Sequence, residues 1–146
     1  VAGWLFPVMA RLLAVTPLVP LVFSKLAGTP RQVRQLLAST GSRIEPAGEE
    51  QYLHLLRQPA HVAATLAMMA QWDVDRLMQR LPRQTLRSLL ITASADRAVP
   101  SDVSKRAAEI MPNARWVDLP GFGHLVHEEA PHEVAVLIND FLTQSP

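Results

Sequence analysis

Two polar residues stand out by type and by place. Asp96 comes just after the apolar run Ser88-Leu89-Leu90-Ile91-Thr92-Ala93, and His124 comes just after Gly121-Phe122-Gly123. A carboxylate hydrogen-bonded to one imidazole nitrogen leaves the other nitrogen able to take a proton from a hydroxyl nucleophile, which is the acid–base part of a Ser-His-Asp triad. The interval between the two residues holds one helix and one strand. That is what a crossover between neighbouring parallel strands requires, and it would bring Asp96 and His124 together at the strands' carboxyl ends. The glycines on either side of Phe122 would let the backbone turn and aim the imidazole back over the sheet. Each residue also has a plainer reading. Asp96 is a common type for a turn or a helix N-cap, His124 could be only a polar residue of a glycine-rich loop, and His127 reads as a surface or packing histidine.

Other constellations fail on spacing. His124, His127, Glu128 and His132 together suggest a metal site, but a zincin helix needs H-E-x-x-H on one face. His127-Glu128 reaches His132 one residue late, with Pro131 between them. Gly121-Phe122-Gly123 lacks the third glycine of a dinucleotide loop. Nothing here asks for a cofactor or a metal. The nucleophile motif G-x-S-x-G is not in the chain; Ala93-Ser94-Ala95 lacks both glycines and precedes the acid. Val1 stands where an initiator Met would, so the chain reads as a piece of something longer, with its serine encoded upstream.

The elements that must position Asp96 and His124 follow from periodicity. Ser88 to Ala93 is a short apolar run with the length of a strand buried on both faces of a parallel sheet, and Ala114 to Leu119 makes a second strand with Trp116 and Val117 inside it. Pro100-Ser101 opens a helix with Val103, Ala107 and Ile110 on one face, and Pro112-Asn113 ends it. Pro131 opens the last helix, with Val134, Leu137, Ile138 and Phe141 as its buried stripe. Before Pro82 every segment reads helical. Thr29 caps a helix begun by Pro30, with Val33, Leu36 and Leu37 on one face. Glu49 to Arg57 gathers Tyr52, Leu53, Leu55 and Leu56. Pro59 opens a helix through Val62, Leu66, Met69 and Ala70, and Asp73 caps a short one. The expected class is α/β, with a helical region over 1–82 and a βαβα part over 83–146.

Composition sets outer bounds. With 146 residues, 49% hydrophobic and 18% charged, the chain has enough apolar material for a core. Fourteen Lys+Arg against thirteen Asp+Glu leave a net charge of +1, which gives a phosphate backbone little to bind, so nucleic acid is not expected as a partner. The absence of cysteine fits a reducing, cytoplasmic setting. Val1 to Phe23 is apolar, but Pro7, Pro17 and Pro20 break it and Arg11 charges it, so two short helices are expected rather than a transmembrane span.

The segments Leu89 to Pro100 and Leu119 to His124, followed by Glu128, Pro131 and Val134, resemble the acid and histidine motifs of α/β-hydrolases. That family orders its triad Ser, Asp, His. Ala93 is a departure, since many members carry glycine there. The helical region resembles the cap over the family's active site. Within it, Trp4-Leu5-Phe6-Pro7, Arg11-Leu12-Leu13-Ala14, Gly41-Ser42-Arg43, Pro59-Ala60-His61-Val62 and Met68 to Asp73 are similar to the magnesium-chelatase accessory hydrolases of bacteriochlorophyll biosynthesis.

The resemblance implies the C-terminal part of an α/β-hydrolase fold, a helical cap followed by the last two parallel strands and their helices. It implies Asp96 and His124 as catalytic residues, and Trp4, Met68, Met69 and Trp72 of the cap as substrate contacts. The substrate would be a hydrophobic small molecule, with a tetrapyrrole among the candidates, and magnesium chelatase would be a partner. Two rival readings remain open: a non-catalytic accessory protein on a hydrolase scaffold, and docking of Val1 to Phe23 on a membrane surface.

Overall fold

The computed structural model describes residues 18–143. Trp4, Arg11 and the rest of the apolar stretch up to residue 17 lie outside the described residues. Among those described, no helix is long and apolar enough to cross a membrane. The chain divides into two compact units. Glu45–Leu77 groups with the chain up to Gln35, and Leu36–Ile44 groups with the chain from Met78 on.

The first unit is helical, built from α1 (Leu18–Ala27), most of α2 (Pro30–Ser39), α3 (Pro46–Leu56), α4 (Pro59–Ala70) and the start of α5 (Val74–Arg80). Proline opens α2, α3 and α4, at the one helical position where a missing N–H costs nothing. Thr29 caps α2: its hydroxyl oxygen accepts from the Gln32 amide at 3.4 Å, and the hydroxyl donates to Gln32 Oε1 at 2.8 Å. The Asp73 carboxylate accepts from the Arg76 amide at 2.9 Å and so caps α5. α4 packs against both α1 and α3, with Val62 buried and Leu66, Met69 and Ala70 half-buried on the expected face. On α2, Val33 and Leu37 are buried one turn apart, whereas Leu36 is exposed.

The second unit carries β1 (Ser88–Ala93), α6 (Ser101–Ile110), β2 (Ala114–Leu119), α7 (Val126–Glu129) and α8 (Pro131–Thr143). The strands pair in parallel, in register from Ser88 opposite Ala114 to Ala93 opposite Leu119. Alternation assigns the two faces. Ile91, Ala93 and Leu119 join Phe122, Val126, Ala130 and Val134 in the apolar core under α7 and α8. On the opposite face the Trp116 indole N–H donates to the Thr92 hydroxyl at 2.9 Å, which donates to Asp118 Oδ1 at 2.8 Å. Lys105 of α6 lies over the Trp116 ring, so helices cover both faces of the sheet.

In the second unit burial differs from expectation in three places. The strands are half-buried along most of their length, and only Ala93, at the end nearest Asp96, is fully enclosed. On α6, Val103 and Ile110 are exposed, while Ser104, Ala107, Ala108 and Met111 are half-buried. Small residues form its covered side, and the exposed side mixes Val103 and Ile110 with Asp102, Lys105, Arg106 and Glu109. On α8, Val134 is buried and Leu137 and Phe141 half-buried, but Ile138 faces outward. The single-turn α7 has no counterpart in the periodicity, being too short to show one.

Leu36–Ile44 comprises the last turn of α2 and most of the connection to α3, and that connection lies on the carboxyl ends of the strands. The Thr40 carbonyl accepts from the amides of both Arg97, at 3.0 Å, and His124, at 3.4 Å. Glycine is required there for space. A Cβ on Gly41, whose φ is +87°, would sit 2.1 Å from the Ala95 carbonyl oxygen, and one on Gly123 would sit 2.3 Å from the Gly41–Ser42 backbone. Gly121 differs, since its φ is also +87° but nothing lies within 4 Å of the Cβ position.

Two paired substitutions test these assignments by chemical denaturation of the chain. Gly121→Ala, which meets only the left-handed backbone, should cost about 1–2 kcal/mol. Gly41→Ala adds a backbone collision and should cost roughly twice that or more. Equal midpoint shifts would refute the close-approach argument. In α8, Val134→Ala removes two buried methyl groups and should cost about 1.5–2.5 kcal/mol, while Val136→Ala, 44% exposed, should shift stability by less than about 0.5 kcal/mol.

Candidate functional site

β1 ends at Ala93, and the chain turns at once: the Asp96 amide donates to the Ala93 carbonyl at 3.1 Å. The two oxygens of the Asp96 carboxylate then do different things. Oδ1 accepts from the amides of Ala98, at 2.7 Å, and Val99, at 2.8 Å, closing the loop on itself. Oδ2 lies 2.8 Å from Nδ1 of His124. The turn role and the pairing role are therefore both present, one on each oxygen.

β2 ends at Leu119 in register with Ala93, so the loop it enters begins level with the acid loop. Two further hydrogen bonds knit these loops, from the Ala95 amide to the Phe122 carbonyl at 2.9 Å and from the Gly121 amide to the Ser94 hydroxyl at 2.9 Å. Gly121 turns the chain through its positive φ, and Gly123 lets it pass against Gly41-Ser42. The sequence reading assigned turning to both glycines; only the first has the positive φ, and the second serves close approach.

The two side chains meet solvent unequally. The Asp96 side chain is only 10% exposed and is held by three donors, whereas His124 is 40% exposed. With the carboxylate ionised, Nδ1 carries the proton and donates it, so Nε2 presents its lone pair. An imidazolium formed at Nε2 would be stabilised by the charge-assisted bond behind it.

The other singled-out residues fall elsewhere. His127 and His132 are exposed, and His127 Nε2 lies 3.7 Å from Glu128 of its own short helix. Among the described residues, no group of three His, Cys, Asp or Glu side chains could hold a metal ion. Met68 and Met69 close α4 and Trp72 follows it, within the helical unit; Met68 and Trp72 are exposed and Met69 half-buried.

Four residues beside the pair escaped attention as site residues. Thr40 bridges the acid and histidine loops through its carbonyl, and Gly41 gives them room. Ser42, buried, accepts from the Leu125 amide at 2.9 Å through its hydroxyl. Glu129 accepts from the Gly123 amide at 2.9 Å and from the Arg43 amide at 3.0 Å. Backbone-directed contacts leave no spacing pattern. The sequence carries one signal for them, the segment Gly41-Ser42-Arg43, and Glu129 directly follows the motif residue Glu128.

Comparison with known proteins gives the chain its relatives. No protein-family model matches it. It is 41% identical to the magnesium-chelatase 30 kDa subunit of Rhodobacter capsulatus over 142 residues, which are 97% of the chain and 50% of that protein. It is 36% identical to the uncharacterized hydrolase YugF of Bacillus subtilis (strain 168) over 64 residues, 44% of the chain and 23% of that protein. The chain thus spans half or less of the curated relatives it matches. Among solved structures, MGS-M2, an α/β-hydrolase enzyme from a Medee basin deep-sea metagenome library, superposes with a TM-score of 0.59 at 22% identity, covering 68% of this chain and 36% of that one. The esterase EaEST of Exiguobacterium antarcticum gives a TM-score of 0.59 at 14% identity, covering 78% and 43%. Its parallel strand pair and these structural neighbours give the chain the architecture of the C-terminal part of an α/β-hydrolase fold, and in sequence it is similar to the magnesium-chelatase 30 kDa subunit.

Proposed function

We propose that Asp96 and His124 are the acid and base of a serine-type hydrolase whose nucleophile is supplied by another part of the full-length protein. The observation that supports this is the 2.8 Å contact between Asp96 Oδ2 and His124 Nδ1 at the carboxyl ends of two paired parallel strands. In this reading Nε2 takes the proton of a serine hydroxyl as its oxygen attacks an ester or related carbonyl. The imidazolium, held by Asp96, then passes that proton to the leaving group. Hydrolysis of the acyl-enzyme repeats the transfer with water.

The substrate we infer is a hydrophobic small molecule, with a tetrapyrrole the leading candidate, since the 41% identical relative is a magnesium-chelatase subunit. The helical unit would serve as the cap, with Trp4, Met68, Met69 and Trp72 offering flat and adaptable apolar surface to a planar ring. Contact with magnesium chelatase, and a cytoplasmic location, go with that reading.

A second reading is favoured by a specific observation: that same relative is named as a subunit rather than as a hydrolase. The scaffold would then hold a tetrapyrrole or contact the chelatase without catalysis.

The two readings separate in the full-length protein. The coding frame upstream of Val1 should contain a strand, a G-x-S-x-G elbow and a helix. In that protein, Asp96→Asn should lower kcat on a chromogenic ester by about 10³–10⁴-fold, and His124→Ala by at least as much, with the circular dichroism unchanged. Near-normal turnover in both variants would refute the catalytic reading. No esterase activity at all, with porphyrin binding indifferent to both substitutions, would put the second reading in its place.

A further inference from the structure

Three consecutive amides of the histidine loop are all taken, and each by a different acceptor outside the loop. The Gly123 amide donates to Glu129 Oε1 at 2.9 Å, the His124 amide to the Thr40 carbonyl at 3.4 Å, and the Leu125 amide to the Ser42 hydroxyl at 2.9 Å. The acceptors are tied to one another as well. The second oxygen of Glu129 accepts from the Arg43 amide at 3.0 Å, so one carboxylate joins the histidine loop to the Leu36–Ile44 connection. Thr40 also accepts from the amide of Arg97, the residue after the acid. Nothing in this arrangement touches the ring of His124; it acts on the backbone that carries it.

We propose that Glu129, together with Ser42 and the backbone of Thr40–Arg43, forms a latch that positions His124 for its bond to Asp96. The proposal rests on His124 acting as a base and adds the residues that hold it there. An imidazole on a glycine-flanked loop has many orientations open to it, while general-base chemistry tolerates misplacement of only about 0.5 Å. Locking the amides on both sides of His124, and its own, removes the backbone part of that freedom. Glu129 and Ser42 are positioning residues: they act through the loop and reach no reacting atom.

The test needs no turnover, so it can be read on this chain by NMR. In the unmodified chain, the Nδ1–H of His124 should give a far-downfield proton signal, absent in Asp96→Asn. Glu129→Gln keeps the size and loses the charge that holds two amides. It should speed hydrogen exchange at Gly123, His124 and Leu125 by roughly tenfold or more and broaden the Nδ1–H signal. Amides of β1 should be unaffected, and Glu133→Gln on exposed α8 should change nothing. Ser42→Ala, which removes one acceptor, should act at Leu125 and on the ring signal. It also decides the matter if Glu129→Gln does not fold. Unchanged exchange and an unchanged ring signal in Ser42→Ala and in folded Glu129→Gln would overturn the latch, as would acceleration spread evenly over the β1 amides. In the full-length enzyme the same variants should lower kcat with KM unchanged. An inactive full-length protein whose loop amides still respond to Glu129→Gln keeps the latch and refutes only the catalytic reading.

Discussion

The geometry of this protein's strand ends depends on one carboxylate being divided between two tasks. Asp96 spends Oδ1 on its own loop, accepting from Ala98 and Val99, and Oδ2 on the imidazole of His124. A carboxylate offers about four lone-pair positions, so neither task starves the other. The loop bonds fix where Oδ2 points, since a carboxylate clamped at one oxygen has little freedom at the second. What looks like an ordinary turn at the end of a strand is thereby the foundation of the acid–histidine pair, and one side chain holds both the turn and the imidazole.

Pairing in register matters for the same reason. Ala93 lies opposite Leu119, so the acid and histidine loops leave the sheet at one level. They can then be stitched together directly, by Ala95 to Phe122 and Gly121 to Ser94. Where a third piece of chain must come in against both, side chains are excluded. Gly41 lies against the Ala95 carbonyl, and Gly123 against the Gly41–Ser42 backbone. Backbone packed this tightly must satisfy its own polar groups, and it does so with its carbonyls, the Ser42 hydroxyl and the Glu129 carboxylate. Among the described residues, no buried side-chain nitrogen or oxygen lacks a partner.

Much of this was legible in the residues. The two strands run from Ser88 to Ala93 and from Ala114 to Leu119, as the apolar runs require, and proline and threonine or aspartate mark the starts of helices where capping chemistry puts them. Asp96 and His124 could be paired because their spacing implied a crossover. The faces of helices were harder to read. On α6 the half-buried residues include Ser104, Ala107 and Ala108 rather than the more apolar Val103 and Ile110, because close approach to a sheet selects size before hydrophobicity. The support of the site was hardest of all. Thr40, Ser42 and Glu129 act on backbone amides brought close only by the folded chain, and a serine or glutamate that will do so looks like any other.

The position of Leu36–Ile44 bears on how such a chain can change. In sequence it interrupts the helical region; by contacts it belongs with the sheet. The boundary between the two units therefore passes through α2 and again just before α3, and the polypeptide enters the helical unit from residues that are themselves bonded to the acid and histidine loops. Loops and insertions vary most freely where the scaffold does not lean on them. Here the acid and histidine loops lean on the backbone of Thr40 to Arg43 and on the Ser42 hydroxyl, so a change in that short segment bears directly on the geometry of Asp96 and His124.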